Sequence, residues 1–225
     1  PSFLVVQPPA RSFGGEWPAL QAQVEVCAER SDTYLLTSWA APQHDRVHYS
    51  RDGVFHVAQQ IASAIHAVSA GVQWSAPYIA SARLDGTTVV CDIGGPHDVI
   101  GDTTVYSPRH YVNITVNDAG GIHDPATSYS GGTPVPDHGF RVTAGTATIT
   151  SVEFRGKQVL LNMDSTDVTE IAFAYFPDWA DYPTGETKEQ SSNRGTVRAR
   201  DWKAAVPYAG DTLRLWMASG FVTVT

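Results

Sequence analysis

The feature that most constrains this chain is a change of texture near residue 70. Before it, apolar residues recur at helical spacing between short strand-like runs. After it, short alternating or β-branched runs are separated by Gly, Pro, Asp and Asn. The two patterns have different periods, so they predict two different architectures joined in one polypeptide. Residues 1–68 read as one unit and residues 71–225 as another.

In the first unit, Phe3, Leu4, Val5 and Val6 form a continuous apolar run ending at Pro8-Pro9, as expected of a strand covered on both faces in a parallel sheet. Trp17, Leu20, Val24 and Cys27 follow at spacings of three and four over residues 16–30, with Pro18 near the start, where a helix tolerates it. Thr33–Thr37 is a second strand and residues 39–52 a polar loop. A helix over Gly53–Val68 carries the apolar stripe Val54, Val57, Ala58, Ile61, Ala62 and Ile65. Two parallel strands leave an edge and an apolar face uncovered, so this unit is expected to be the last part of a larger α/β sheet. The sequence opens on Pro1 and enters its first strand within two residues, which fits a missing upstream portion or a trimmed terminus.

In the second unit the runs Ile79–Leu84, Thr87–Cys91, Tyr111–Val116, Thr146–Phe154, Gln158–Met163, Glu170–Phe176, Thr212–Trp216 and Phe221–Val224 are punctuated by turn signals such as Asp85-Gly86 and Arg155-Gly156. This is the pattern of antiparallel hairpins in an all-β sandwich. Residues 117–139, rich in Gly, Pro, Ser and Asp, predict a long loop of the kind that carries recognition.

Composition narrows the function. Of 225 residues 42% are hydrophobic and 17% charged, an ordinary globular balance. The formal charge is −8 and no Lys/Arg cluster occurs, so a nucleic-acid partner is not expected. There is no run of about 18 apolar residues and no basic-then-apolar leader, so no membrane partner is expected either. Cys27 and Cys91 fall in different units and read as buried free thiols. No CxxC or HExxH spacing is present, and neither a metal nor a cofactor is expected.

The informative segment is Gln43-His44-Asp45-Arg46-Val47-His48-Tyr49-Ser50-Arg51-Asp52-Gly53, between the second strand and the last helix. An Asp and a His three residues apart in a loop can fold so that the carboxylate holds the imidazole in one tautomer. That imidazole then serves as general base to a serine supplied from elsewhere. The same spacing also arises in a polar turn with an incidental histidine. In its strand–loop–helix setting, the block Asp45-x-x-His48, followed by Tyr49-Ser50, Gly53 and a helix with Ala58, Ile61, Ala62 and Ala64, resembles the closing block of the SGNH (GDSL-like) hydrolases. The resemblance covers residues 1–68. It implies the final strands and helices of a flavodoxin-like sheet, with Asp45 and His48 as catalytic residues. The runs Gly139–Val142, Ile149–Gly156, Val159–Met163, Gly195–Arg198 and Leu213–Trp216 resemble the β-sandwich that follows the catalytic domain in sialate O-acetylesterase-like and phage-type carbohydrate esterases.

That resemblance implies a polysaccharide or acetylated glycan as substrate and an extracellular or virion-associated location. It also exposes a departure: the family's Gly-Asp-Ser nucleophile block and its later Gly and Asn oxyanion donors are not in this chain. Ser12 lies in a different context and Ser50 is too close to His48 to stand in. A companion polypeptide completing the α/β unit is therefore expected if the chain is catalytic; otherwise it is a non-catalytic glycan-binding or structural spike module. Trp74, Trp179, Trp202 and Trp216, with Tyr175, Phe176 and Tyr182, offer either a sugar-stacking platform or core packing, with Phe176–Tyr182 the best platform candidate. His44, His97, His110, His123 and His138 read as ordinary loop histidines. Asn113-Ile114-Thr115 is a glycosylation sequon within a strand-like run.

Overall fold

The computed structural model describes residues 2–7, 17–37, 51–102, 138–174, 197–205 and 212–225. Its first unit is β1 (Phe3–Gln7), α1 (Trp17–Glu29), β2 (Thr33–Thr37) and α2 (Arg51–Ser69). These match the predicted elements closely because each is announced locally, by an apolar run or a three-to-four spacing. β1 and β2 pair in parallel, Phe3 opposite Thr33 through to Gln7 opposite Thr37.

The rest is antiparallel: β3 (Tyr78–Asp85), β4 (Thr88–Gly94), β5 (Val99–Gly101), β6 (Phe140–Gly145), β7 (Ile149–Arg155), β8 (Gln158–Met163), β9 (Val168–Phe173), β10 (Val197–Ala205), β11 (Thr212–Trp216) and β12 (Gly220–Thr223). They form three sheets, ordered β3-β4-β8-β7, β12-β9-β6 and β11-β10-β5. The β3–β4 and β7–β8 hairpins each turn on two residues beginning with a glycine of positive φ, Gly86 at 61° and Gly156 at 62°. That conformation matches the twist of the flanking strands and is cheapest for glycine.

One core joins the first two sheets. Val89, Cys91, Val159 and Leu161 come from the four-stranded sheet, and Phe140, Ile171 and Phe173 from its partner, all wholly buried. Burying each large side chain of this set contributes about 1.5–3 kcal/mol. At the sheet rim, the segment after β12 runs beside β3: Leu84 N–H donates to the Thr225 carbonyl at 2.9 Å and Thr225 N–H to that of Ala82 at 3.1 Å.

A second core is the seam between the α/β unit and the β strands. Val24, Leu35, Leu36 and Ala64 pack with Trp74, Ala76, Ala199, Leu215 and Ala218. Ala76 N–H donates to the Leu35 carbonyl at 2.7 Å, closing the edge of β2 that faces away from β1. Helix α1 lies against β12, where Gln21 Oε1 accepts from the Phe221 N–H at 2.9 Å.

The flavodoxin-like expectation is overturned. Among the described residues the parallel sheet has only the two strands β1 and β2, with one further isolated parallel bridge between Ala82 and Val224, and the chain is mostly β with antiparallel sheets. A continuous apolar strand needs cover on both faces, but it does not specify what supplies the cover. Here much of it comes from Trp74, Ala199 and Leu215, on the connection into β3 and on an antiparallel sheet, rather than from further parallel strands.

Candidate functional site

Asp45 and His48, with His44, Ser12 and Ser50, lie outside the described residues. What the structure fixes is the ground on which their segment stands. β1 and β2 run in parallel, so their C-terminal ends lie on the same side, the side at which open parallel sheets carry their ligands. Residues 38–50 connect β2, which ends at Thr37, to α2, which begins at Arg51.

That end of β2 is held in place. Thr37, 2% exposed, donates its hydroxyl to the Trp216 carbonyl at 3.0 Å. Trp216 is paired with Arg198 across β10 and β11. Arg198 Nε in turn donates to Asp102 Oδ2, with the two side chains 12% and 6% exposed, while Arg198 Nη1 donates to the Ala199 and Arg200 carbonyls at 2.9 and 3.1 Å. A secluded ion pair offsets its desolvation only with the help of further hydrogen bonds, such as the two that Nη1 makes here. Asp102 is the last described residue before 103–137, and Val197 the first after 175–196. The departure point of the Asp45/His48 segment is thus linked to an end of each of the two longest undescribed stretches.

Their other ends show strain. His138 and Ala174 have φ of 57° and 47°, although neither is glycine. The two positions are joined, Ala174 N–H donating to the Gly139 carbonyl at 2.9 Å. Left-handed backbone at non-glycine residues costs about 1–3 kcal/mol each and collects at functional sites. The His138 ring stands edge-on to Phe154 with centroids 5.1 Å apart, and burial lowers its pKa. A Cβ on Gly101 would come within 2.5 Å of His138 Cε1, so this stem is built for glycine.

The aromatic candidates separate. Trp74 and Trp216 are core residues, 5% and 4% exposed, and Trp202 is half-buried. Trp74 meets Trp202 edge to face at 5.2 Å and His97 at 6.2 Å, and Trp74 Nε1 and His97 Nε2 are buried without a hydrogen-bond partner. His97 is shifted toward the neutral form, first by desolvation, then by Lys157, with Asp201 opposing. Trp179, Tyr175, Phe176, Tyr182, His110, His123 and the Asn113 sequon lie outside the described residues.

Cys27 and Cys91 are both free. Burial pushes their thiols up to about 11 and about 12, so neither offers a thiolate nucleophile at neutral pH. Among the described residues no group of three or more His, Cys, Asp or Glu side chains converges as a metal site. The Arg198–Asp102 pair and the strained stems were not signalled in the sequence, because 96 residues separate the two partners of the ion pair.

No protein-family model and no curated protein matches this sequence. A solved structure does: the crystal structure of a novel carbohydrate acetylesterase from Xanthomonas citri is similar over 98% of this chain, with a TM-score of 0.53 and 16% sequence identity. The match occupies 40% of that protein, so this chain spans less than half of its length. At this identity what the two share is a fold.

Proposed function

We propose that this chain is part of a carbohydrate O-acetylesterase, in which His48 is the general base and acid and Asp45 its orienting partner. The observation that carries the proposal is the fold likeness to a carbohydrate acetylesterase across 98% of the chain. It is supported by the sequence position of Asp45-x-x-His48, in the segment that joins β2 to α2.

The chemistry needs a serine hydroxyl and oxyanion donors that a companion polypeptide supplies. The serine oxygen attacks the acetyl carbonyl and its proton passes to His48. The tetrahedral oxyanion then collapses, and the sugar oxygen leaves with the proton His48 returns. Water, deprotonated by His48 in turn, attacks the acetyl-enzyme, and acetate departs as the serine recovers its proton. Asp45 holds the imidazole in the tautomer that accepts and stabilises the imidazolium formed in each half-reaction. Losing a single oxyanion donor costs about 10²–10³ in rate, so the chain without its companion is expected to release no acetate.

The test is acetate release from an O-acetylated polysaccharide by the chain with its companion. His48→Ala is expected to lower kcat by at least about 10³-fold and Asp45→Asn by about 10³–10⁴-fold, with circular dichroism unchanged. Glycan retention without acetate release by the intact assembly would refute the esterase reading and leave a glycan-binding module.

A further inference from the structure

The exposed large apolar side chains of the described residues are Phe3, Val26, Val54, Ile65 and Val72, and all five lie between residues 3 and 72. The β strands beyond have none among the described residues. Monomeric surfaces carry scattered apolar residues, but confinement to one unit marks a surface that something covers.

Two features define that surface. The first is the outer edge of β1. Phe3 N–H donates to the Asp32 carbonyl at 2.8 Å, so in a parallel ladder the odd residues of β1 direct their backbone groups at β2. The N–H and C=O groups of Leu4 and Val6 therefore point away from it. Among the described residues β1 pairs with β2 alone, and no side chain from Phe3 to Val6 is fully buried. An apolar strand with a free edge is a template for another strand. The second feature is α2, whose residues Val54, Ala58, Ala62 and Ile65 are all exposed, at spacings of four, four and three along one face. The opposite face, with Gln60 and Ala64, is buried. Val54 and Ile65 are 56% and 53% exposed. A stripe at this spacing is the mark of a helix packed on that face too.

We infer that the free edge of β1 and the Val54/Ala58/Ala62/Ile65 face of α2 form the docking surface for the companion polypeptide of the esterase reading, on which the inference rests, and that the companion contributes a β-strand alongside β1 and apolar side chains over α2. The free edge calls for backbone in extended form, which only a polypeptide supplies. The acetylesterase of the same fold carries more than half its length outside the shared region, so this fold is built elsewhere together with further polypeptide.

The experiment purifies the chain from its native source together with any polypeptide bound to it and follows amide exchange in the chain alone and in that complex. Leu4 and Val6 are expected to exchange at least about tenfold more slowly in the complex. The double variant Val54→Asp, Ile65→Asp is expected to weaken association at least about tenfold while leaving the chain's own circular dichroism and melting unchanged. Three results overturn the proposal: no complex forms, a complex forms with exchange at Leu4 and Val6 unaltered, or the chain alone self-associates with those amides already protected. A complex with protected β1 that releases no acetate refutes the esterase reading and keeps the surface. Acetate release with β1 unprotected does the reverse.

Discussion

The two regions of this molecule satisfy their apolar residues in opposite ways. From β3 onward the strands enclose their own core, with Phe140 and Phe173 in ring contact at 5.1 Å and both wholly buried. The β1–α1–β2–α2 unit packs Val24, Leu35, Leu36 and Ala64 in a cluster completed from outside it by Trp74, Ala199 and Leu215, and it leaves Phe3, Val54 and Ile65 more than half exposed. The lesson is that a well-packed interior and an exposed apolar face coexist in one chain.

The comparison breaks most visibly if the β core is less self-sufficient than its packing implies. Phe173→Ala removes a ring wholly enclosed by the core, and is expected to cost about 3–5 kcal/mol by urea denaturation. A cost under about 1 kcal/mol would mean that the two regions share their stability.

The seam should respond to pH more modestly. Desolvation lowers the pKa of His97 in the folded protein below its ordinary value of 6.5. The unfolded chain therefore binds this proton first, and the contribution is present above pH 6.5 and lost as pH falls through the folded value. His97→Gln is expected to flatten the decline in urea midpoint below pH 6.5. An unchanged acid limb would show that the seam is insensitive to this residue.

The smallest effect sharpens the contrast further. The single substitutions Val54→Asp and Ile65→Asp are each expected to move the stability of the chain alone by no more than about 0.5 kcal/mol, since their side chains are more than half exposed. A loss comparable with that of Phe173→Ala would place them in a core after all.

What was legible in the sequence follows from which signals are local. Thr33–Thr37, Gln158–Met163 and Thr212–Trp216 appear as strands over the residues read from their apolar runs, and the Asp85-Gly86 and Arg155-Gly156 turns fall where glycine demanded them. β5, three residues long, was not legible, because it exists through its pairing with β10 about a hundred positions away. Thr146–Phe154 read as one run, but Thr146 to Thr148 form the connection into β7, after Gly145 turns at φ 117°. The α2 stripe was read as a single apolar face. Packing divides it, with Ile61 turned toward the seam and Val54, Ala58, Ala62 and Ile65 left in solvent. Periodicity reports that a face is apolar and is silent on what meets it. The Asp45-x-x-His48 segment lies outside the described residues, and the Arg198–Asp102 pair near the end of β2 was not legible because it depends wholly on tertiary pairing.

The bonds from Gln21 to Phe221 and from Ala82 and Leu84 to Thr225 have a consequence in time. A ribosome adds about 5–20 residues per second, so some 10–40 s separate the synthesis of α1 from that of the strand it rests on. Until the end of that interval the seam lacks the part of its wall that Leu215 and Ala218 supply, although Trp74 and Ala76 are made long before. Sealing of this molecule is therefore a late event, with its timing governed by translation rather than by the speed of any one helix or hairpin.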